Sequence, residues 1–309
     1  MTTTRRGFTL VELMVALILL TMVGGVTYRL LVTNQRVTRA QTARVGMQDN
    51  VRAGALVVAN ELREVGYDAN LATAVGAIPG SLIPVGANSD LIAIGPDSIT
   101  YRAMRAVGFT CALNAVTGDV TVRASNAQWN RTLVLTDSIL MYVENNSSTL
   151  TDDIWVHAGL TVVPAAANCP DGTPGFRFRI AFPATSGLTV LSVFNASTIG
   201  SPVRGFEVMQ MRTYVSSGQL WLGMRSLSAG GNLQPMLGPF SNGSNNQRGM
   251  ILTYRDAADA PTNVIGNVRS VSIALRGITD VPVQMSGKYA AIDSLAVTTQ
   301  VALRNAPRP

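Results

Sequence analysis

Residues 5–26 read RRGFTLVELMVALILLTMVGGV, and this stretch decides how the chain folds. Between Phe8 and Val26 the only charged side chain is that of Glu12. The apolar run is long enough for a membrane-spanning helix, which needs about 20 residues. A charged side chain inside a bilayer costs roughly 2.5–3.5 kcal/mol on insertion scales, so Glu12 predicts a functional partner for its carboxylate.

The quoted stretch resembles the class III signal of type IV prepilins and type II secretion pseudopilins. The resemblance implies that a membrane peptidase cuts between Gly7 and Phe8, so that residues 1–7 form a leader peptide. It also implies that the new terminal residue, Phe8, is N-methylated, and that Glu12 pairs with the terminal amine of a neighbouring subunit. On this interpretation the helix crosses the membrane over about residues 8–28.

Three other signals share parts of this pattern. A secretory signal peptide has an apolar core of 7–15 residues and then a small-residue cleavage site, whereas this core is longer and contains an acid. A twin-arginine export signal begins with two arginines, as Arg5 and Arg6 do, but no cleavage site follows here. An uncleaved anchor is physically adequate, yet it leaves Glu12 and the Gly7–Phe8 junction without a role. We therefore favour the prepilin-like signal.

The distribution of arginines opposes the orientation that this signal implies. Membrane proteins keep the flank richer in Lys and Arg in the cytoplasm. The leader carries two arginines, but five follow the apolar run: Arg29, Arg36, Arg39, Arg44 and Arg52. We nevertheless place the leader in the cytoplasm, because the peptidase signal requires it and a large domain follows. The predicted location is the inner membrane with a periplasmic body, and the pilus or cell surface after assembly.

The composition predicts a large core and little catalytic chemistry. The chain has 309 residues, of which 47% are hydrophobic and 14% charged, ample for one or two domains. The net charge is +6, and the arginines are scattered, so nucleic-acid binding is weakly supported. With His157 as the only histidine and two cysteines, the sequence offers no transition-metal ligand set and no serine-hydrolase motif. We predict no enzyme activity, no cofactor and no metal site.

One long helix without proline is predicted from Phe8 to about Val65, which at 1.5 Å per residue would span about 87 Å. Its second half carries an apolar stripe with the alternating spacing of one helix face. The stripe consists of Val51, Ala55, Val58, Leu62 and Val65. Such a face must pack on another element, so we expect an α+β, pilin-like fold in which residues 8–66 form the helix and residues 67–309 an antiparallel β-sheet body.

Short β-branched or alternating runs separated by turn residues predict the strands of this body. They are Leu91–Ile94, Ser98–Met104, Val120–Arg123, Ile139–Val143, Ile154–His157, Phe176–Phe182, Leu188–Phe194 and Gly249–Tyr254. A hairpin is predicted between Met209–Val215 and Gln219–Met224. Residues Ser226–Gln247, rich in Gly, Ser and Asn, predict a surface loop.

Three later segments resemble PilW-type minor pilins. Met47–Tyr67 is similar to the junction between helix and body, Val268–Arg276 to the penultimate strand, and Ala296–Asn305 to the closing strand. The resemblance implies a structural subunit that helps to initiate or cap a type IV pilus. Its implied partners are other minor pilins, the major pilin, the prepilin peptidase, the inner-membrane assembly platform and lipid. The alternatives are a minor pseudopilin of a type II secretion system, or a pilus-tip adhesin or DNA-binding module.

Cys111 and Cys169 are the only cysteines. In a body that lies outside the cytoplasm a disulfide is the commoner state, and closing this loop would stabilise the fold by roughly 4 kcal/mol. Two buried thiols are the alternative. Asp68-Ala69-Asn70 stands where many relatives carry a cysteine, so the family's own disulfide cannot be transferred to this pair.

Overall fold

A single long helix leads into an antiparallel β body, which confirms the predicted α+β, pilin-like fold. The computed structural model describes residues 9–63, 65, 91–129, 131–143, 154–182, 188–243, 248–283 and 291–303. Helix α1 spans Leu10–Arg63, 54 residues, or about 80 Å at 1.5 Å per residue.

The described residues contain thirteen strands and a second, short helix. The strands are β1 (Leu91–Ile94), β2 (Ser98–Asn114), β3 (Asp119–Arg123), β4 (Gln128–Trp129), β5 (Ser138–Val143), β6 (Ile154–Asn168), β7 (Pro174–Ala181), β8 (Pro202–Ser216), β9 (Gln219–Ser226), β10 (Gln234–Phe240), β11 (Met250–Arg255), β12 (Ser270–Ile278) and β13 (Ser294–Ala302). Helix α2 is Val190–Asn195. All the strand pairings are antiparallel.

The second half of α1 packs on β10, β12 and β13. The predicted stripe is confirmed, since all five of its side chains are buried, and they join sheet residues such as Ile273 and Leu275 in one core. The closest approach is at Gly277 of β12, where a Cβ atom would overlap Val51. Polar contacts hold the two flanks of the helix: Arg44 Nε lies 2.8 Å from Asp293 Oδ2, and Asn50 donates to the Gly238 carbonyl.

The middle of the chain forms a small closed barrel. Strand β2 pairs with β3, β3 with β7, β7 with β6, β6 with β5, β5 with β8, and β8 again with β2. Its interior is a second core, separate from the one beneath α1, which includes Val122, Met141, Val156, Phe178 and Ile180. Strands β2 and β8 also continue into the sheet under α1. Each of these two strands is therefore part of both the barrel and the sheet.

A partly buried ionic network lies where the barrel joins the sheet. Tyr101 donates to Glu61 Oε2 at 2.8 Å, and Arg105 Nη2 lies 3.8 Å from the same carboxylate. Arg105 Nε donates to Glu207 Oε2 at 2.9 Å, and Arg131 Nε lies 3.0 Å from that oxygen. Burial raises the pKa of Glu207, but hydrogen bonds from its neighbours outweigh burial and hold the pKa below its usual value. The end of α1 is thereby tied to β2 and β8.

Two sequence predictions for this body are wrong. Leu188–Phe194, predicted as a strand, instead forms most of helix α2. Thr189 caps this helix: Thr189 Oγ1 accepts from the Ser192 N–H, and Ser192 Oγ accepts from the Thr189 N–H. Such reciprocal capping outweighs the β-branched composition.

Ser226–Gln247, predicted as a surface loop, contains strand β10. Phe240 is 1% exposed in the core beneath α1, and Leu237 packs against that core. The Gly, Ser and Asn content of the segment concealed these two apolar anchors.

The hairpin prediction is confirmed: β8 and β9 are joined by Ser217 and Gly218, both with positive φ, as a two-residue hairpin turn requires.

Candidate assembly site

The first part of α1 presents apolar side chains to its surroundings rather than to the body. From Leu10 to Leu31 every large hydrophobic side chain is at least half exposed. By length and composition α1 is the one helix in the described residues that could cross a membrane. Exposure on all sides is what a lipid-facing or subunit-facing helix shows.

Glu12 takes part in the start of this helix. Its backbone N–H donates to Thr9 Oγ1 at 3.3 Å, while the Thr9 N–H donates to Glu12 Oε2 at 3.3 Å. This is a capping box, in which two orphan donors of the first helical turn are satisfied reciprocally. The sequence carries this signal as Thr9-x-x-Glu12, although the role predicted for Glu12 was intersubunit pairing alone. Within the described residues the hydrogen bonds to the Glu12 carboxylate reach Oε2, and Oε1 has none.

The other predicted site residues of this segment, Gly7 and Phe8, lie outside the described residues. Gly24 and Gly25 lie within α1, which continues through them without interruption. A Cβ atom at either position would meet nothing within 4 Å. No packing contact among the residues that the structure describes therefore requires glycine at these two positions.

Cys111 of β2 and Cys169, which follows β6, are joined by a disulfide with a Cα–Cα distance of 5.7 Å. Both residues are buried. Beside the bond, the turn after β6 is held by Asp171, which accepts from Thr173 and from Arg123. These hydrogen bonds, that of Thr173 first, lower the pKa of Asp171 to about 2. The disulfide thus fastens the β6–β7 turn to β2 and braces the barrel at one end.

The single histidine is part of the β-sheet. His157 lies on β6, where burial and the nearby charge of Arg102 lower its pKa to about 4. With this pKa the imidazole is neutral near pH 7, and among the described residues its Nε2 atom has no hydrogen-bond partner. Elsewhere in the described ranges, no group of three or more His, Cys, Asp or Glu side chains could hold a metal ion.

Comparison with known proteins gives a match at the N-terminus. The family described as "Prokaryotic N-terminal methylation motif" matches residues 3–28, which include the Gly7–Phe8 junction, Glu12 and the exposed apolar part of α1. No curated protein and no solved structure matches the chain. The motif points to a structural, non-enzymatic protein that is anchored in a membrane. Together with the fold it supports a type IV prepilin-like protein, a structural subunit of pilin or pseudopilin type.

Proposed function

We propose that this protein is a minor pilin of PilW type that helps to initiate or cap a type IV pilus. The observation that carries the proposal is the exposed apolar surface of α1 over Leu10–Leu31. Most of this surface lies within the methylation motif, and the rest follows it directly. Before assembly lipid covers this surface. In a filament, the helices of neighbouring subunits replace the lipid.

In this proposal Glu12 fixes the axial position of one subunit relative to the next. Prepilin peptidase removes residues 1–7 and Phe8 is methylated, which leaves a cationic amine at the start of the mature chain. The Glu12 carboxylate of one subunit accepts from the Phe8 amine of the next, and its Oε1, which has no hydrogen bond among the described residues, supports this pairing. A buried charged group left without its partner is strongly destabilising, so the pair favours one axial position of the subunits.

The proposed partners are other minor pilins, the major pilin, the peptidase, the inner-membrane assembly platform and membrane lipid. The body lies on the periplasmic side before assembly and on the pilus afterwards. A minor pseudopilin of a type II secretion system uses the same anchor and is the nearest alternative. The barrel built on β2 and β8 favours a position at a filament tip, where a bulky body does not obstruct further subunits; adhesion or DNA capture there is the second alternative.

The test is mass spectrometry of the native protein combined with filament analysis. We expect a mature chain that begins with N-methylated Phe8, and its recovery in sheared pili at a low ratio to the major pilin. Gly7→Leu should leave an uncleaved membrane precursor. An unmodified Met1 terminus would falsify the signal assignment. Normal pili together with a loss of protein secretion in a deletion strain would instead assign the protein to a secretion system.

A further inference from the structure

Among the described residues, strand β13 is a sheet edge that no further strand covers and that lacks the usual protection. It pairs with β12 in nine consecutive registers with no bulge, and among the described residues β12 is its only partner strand. Its sequence, Ser-Leu-Ala-Val-Thr-Thr-Gln-Val-Ala, contains no charge and no proline. An edge strand of this length directs about half of its backbone N–H and C=O groups away from its neighbour. Monomeric proteins normally protect such an edge from pairing with another chain by charged residues, proline, bulges or a short edge strand.

The other edges of this body carry such protection. Strand β1 has four residues and a bulge after Leu91. The distal half of β6, which extends beyond β5, contains Pro164 and two register shifts. Along β11, the Leu252 N–H donates to the Pro96 carbonyl and the Tyr254 carbonyl accepts from the Thr262 N–H. Within the part of the chain that the structure describes, these three edges are protected and the edge at β13 is not.

We propose that β13 is completed by an extended segment of another pilin-like subunit, which adds to the sheet as its next strand. This inference rests on the proposed function. It follows from the position of β13, which lies beside α1. When subunits pack through the exposed apolar surface of α1, a neighbour's chain is brought along this edge.

The side chains of β13 indicate the chemistry of the added segment. The row that faces α1 consists of Leu295, Val297, Thr299 and Val301, and the opposite row is exposed and uncharged. Cross-strand pairs favour β-branched and aliphatic partners on such a surface. The fitting segment is uncharged, apolar at alternate positions, and similar in length to β13 itself.

A second copy of β13 does not fit this edge in a membrane. Met47 and Val51 of α1 lie against Gly277 of β12. Further along the helix, a Cβ atom added at Gly54 would lie 3.1 Å from the Leu275 side chain. Strand β12 is therefore antiparallel to α1. Strand β13, which is antiparallel to β12, runs in the same direction as α1. Symmetric antiparallel pairing of two β13 strands rotates one copy by a half turn about an axis normal to the sheet. The two α1 helices would then point in opposite directions and could not enter the same bilayer.

Hydrogen exchange of the full-length protein tests the inference. Exchange is compared between the detergent-solubilised single subunit and the subunit in its native assembly. We expect about half of the amides in Leu295–Val301 to exchange at least about 10-fold more slowly after assembly, because the added strand pairs with the outward-facing half. The matched control is the protected edge at Val162–Ala167, whose exchange should not change. Assembly without added protection of β13 overturns the inference and leaves the proposed function intact.

Lysine substitutions on the exposed face provide the second measurement. The double variant Ala296→Lys with Thr298→Lys places charge beside the added strand and should lower recovery in the assembly at least about 10-fold, with leader cleavage unchanged. Ser272→Lys, one strand inward on the same face, is the control and should assemble normally. Equal recovery of the edge variant and wild type overturns the inference. Failure of the wild-type chain to join any filament removes the proposed function, and the inference with it. A homodimer crosslinked through β13 also overturns it.

Discussion

Replacing Gly277 with alanine should disturb the contact between α1 and the sheet. Gly277 lies in β12 directly beneath Val51, where an added Cβ would overlap the valine side chain and lie 3.3 Å from Met47 Cγ. The glycine is not in the left-handed region of backbone conformation, so alanine adds no backbone strain there. Its cost is that of overpacking, which is about 1–3 kcal/mol.

The partner substitution Val51→Ala removes two methyl groups from a side chain that is fully buried. At about 0.8 kcal/mol for each group, plus a cavity contribution, we expect a loss of about 2–3 kcal/mol. In the double variant the methyl group added at position 277 occupies the space that the valine side chain vacates. The double variant should therefore lose about 1–2 kcal/mol less in free energy of unfolding than the sum of the losses in the two single variants.

The assay is urea unfolding of the full-length chain in detergent, followed by tryptophan fluorescence. Gly266→Ala is the matched control, since a Cβ atom there meets nothing within 4 Å; its free energy of unfolding should stay within about 0.5 kcal/mol of wild type. Additive losses in the Gly277 and Val51 cycle, or a neutral Gly277→Ala, would show that α1 does not pack on β12 as described.

Three further predictions concern the barrel and the anchor. Non-reducing peptide mapping should recover Cys111 linked to Cys169, 58 residues apart, and replacing both by serine should cost about 4 kcal/mol; two alkylatable thiols would contradict this. Glu12→Gln should leave leader cleavage unchanged and abolish recovery in sheared filaments, whereas wild-type recovery would remove its pairing role. His157 binds a proton less readily in the folded chain, with a pKa of about 4, than in the unfolded chain at about 6.5. The free energy of unfolding should therefore fall by about 3 kcal/mol between pH 7 and pH 4; His157→Gln should remove that part of the decline in urea titrations at each pH.

Local patterns were sufficient for the elements whose contacts are local. The stripe from Val51 to Val65 was readable because a helix repeats every 3.6 residues and one face must be buried. The β8–β9 hairpin was readable because its turn lies between its two strands. The N-terminal methylation motif was readable because it is a short linear motif.

The barrel was not readable, because the pairing that closes it joins β2 to β8, which are distant in sequence. Strand β2 was predicted only to Met104, since Arg105 and Gly108 interrupt its apolar pattern. In the structure Arg105 is compensated by Glu207 on the neighbouring strand, and at Gly108 a Cβ atom would lie 3.2 Å from Val122 Cβ. Both reasons depend on tertiary neighbours that the local sequence does not contain.

The two strands shared by barrel and sheet have a mechanical consequence. Strands β2 and β8 pair from Ser98–Arg212 at the sheet to Phe109–Pro202 at the barrel, and their hydrogen bonds lie across the strand direction. A pull on the barrel along these strands loads many hydrogen bonds sideways at the same moment, whereas peeling would break them one after another. Tension applied at the barrel would thus reach the helical spine through a connection loaded in shear rather than through a hinge.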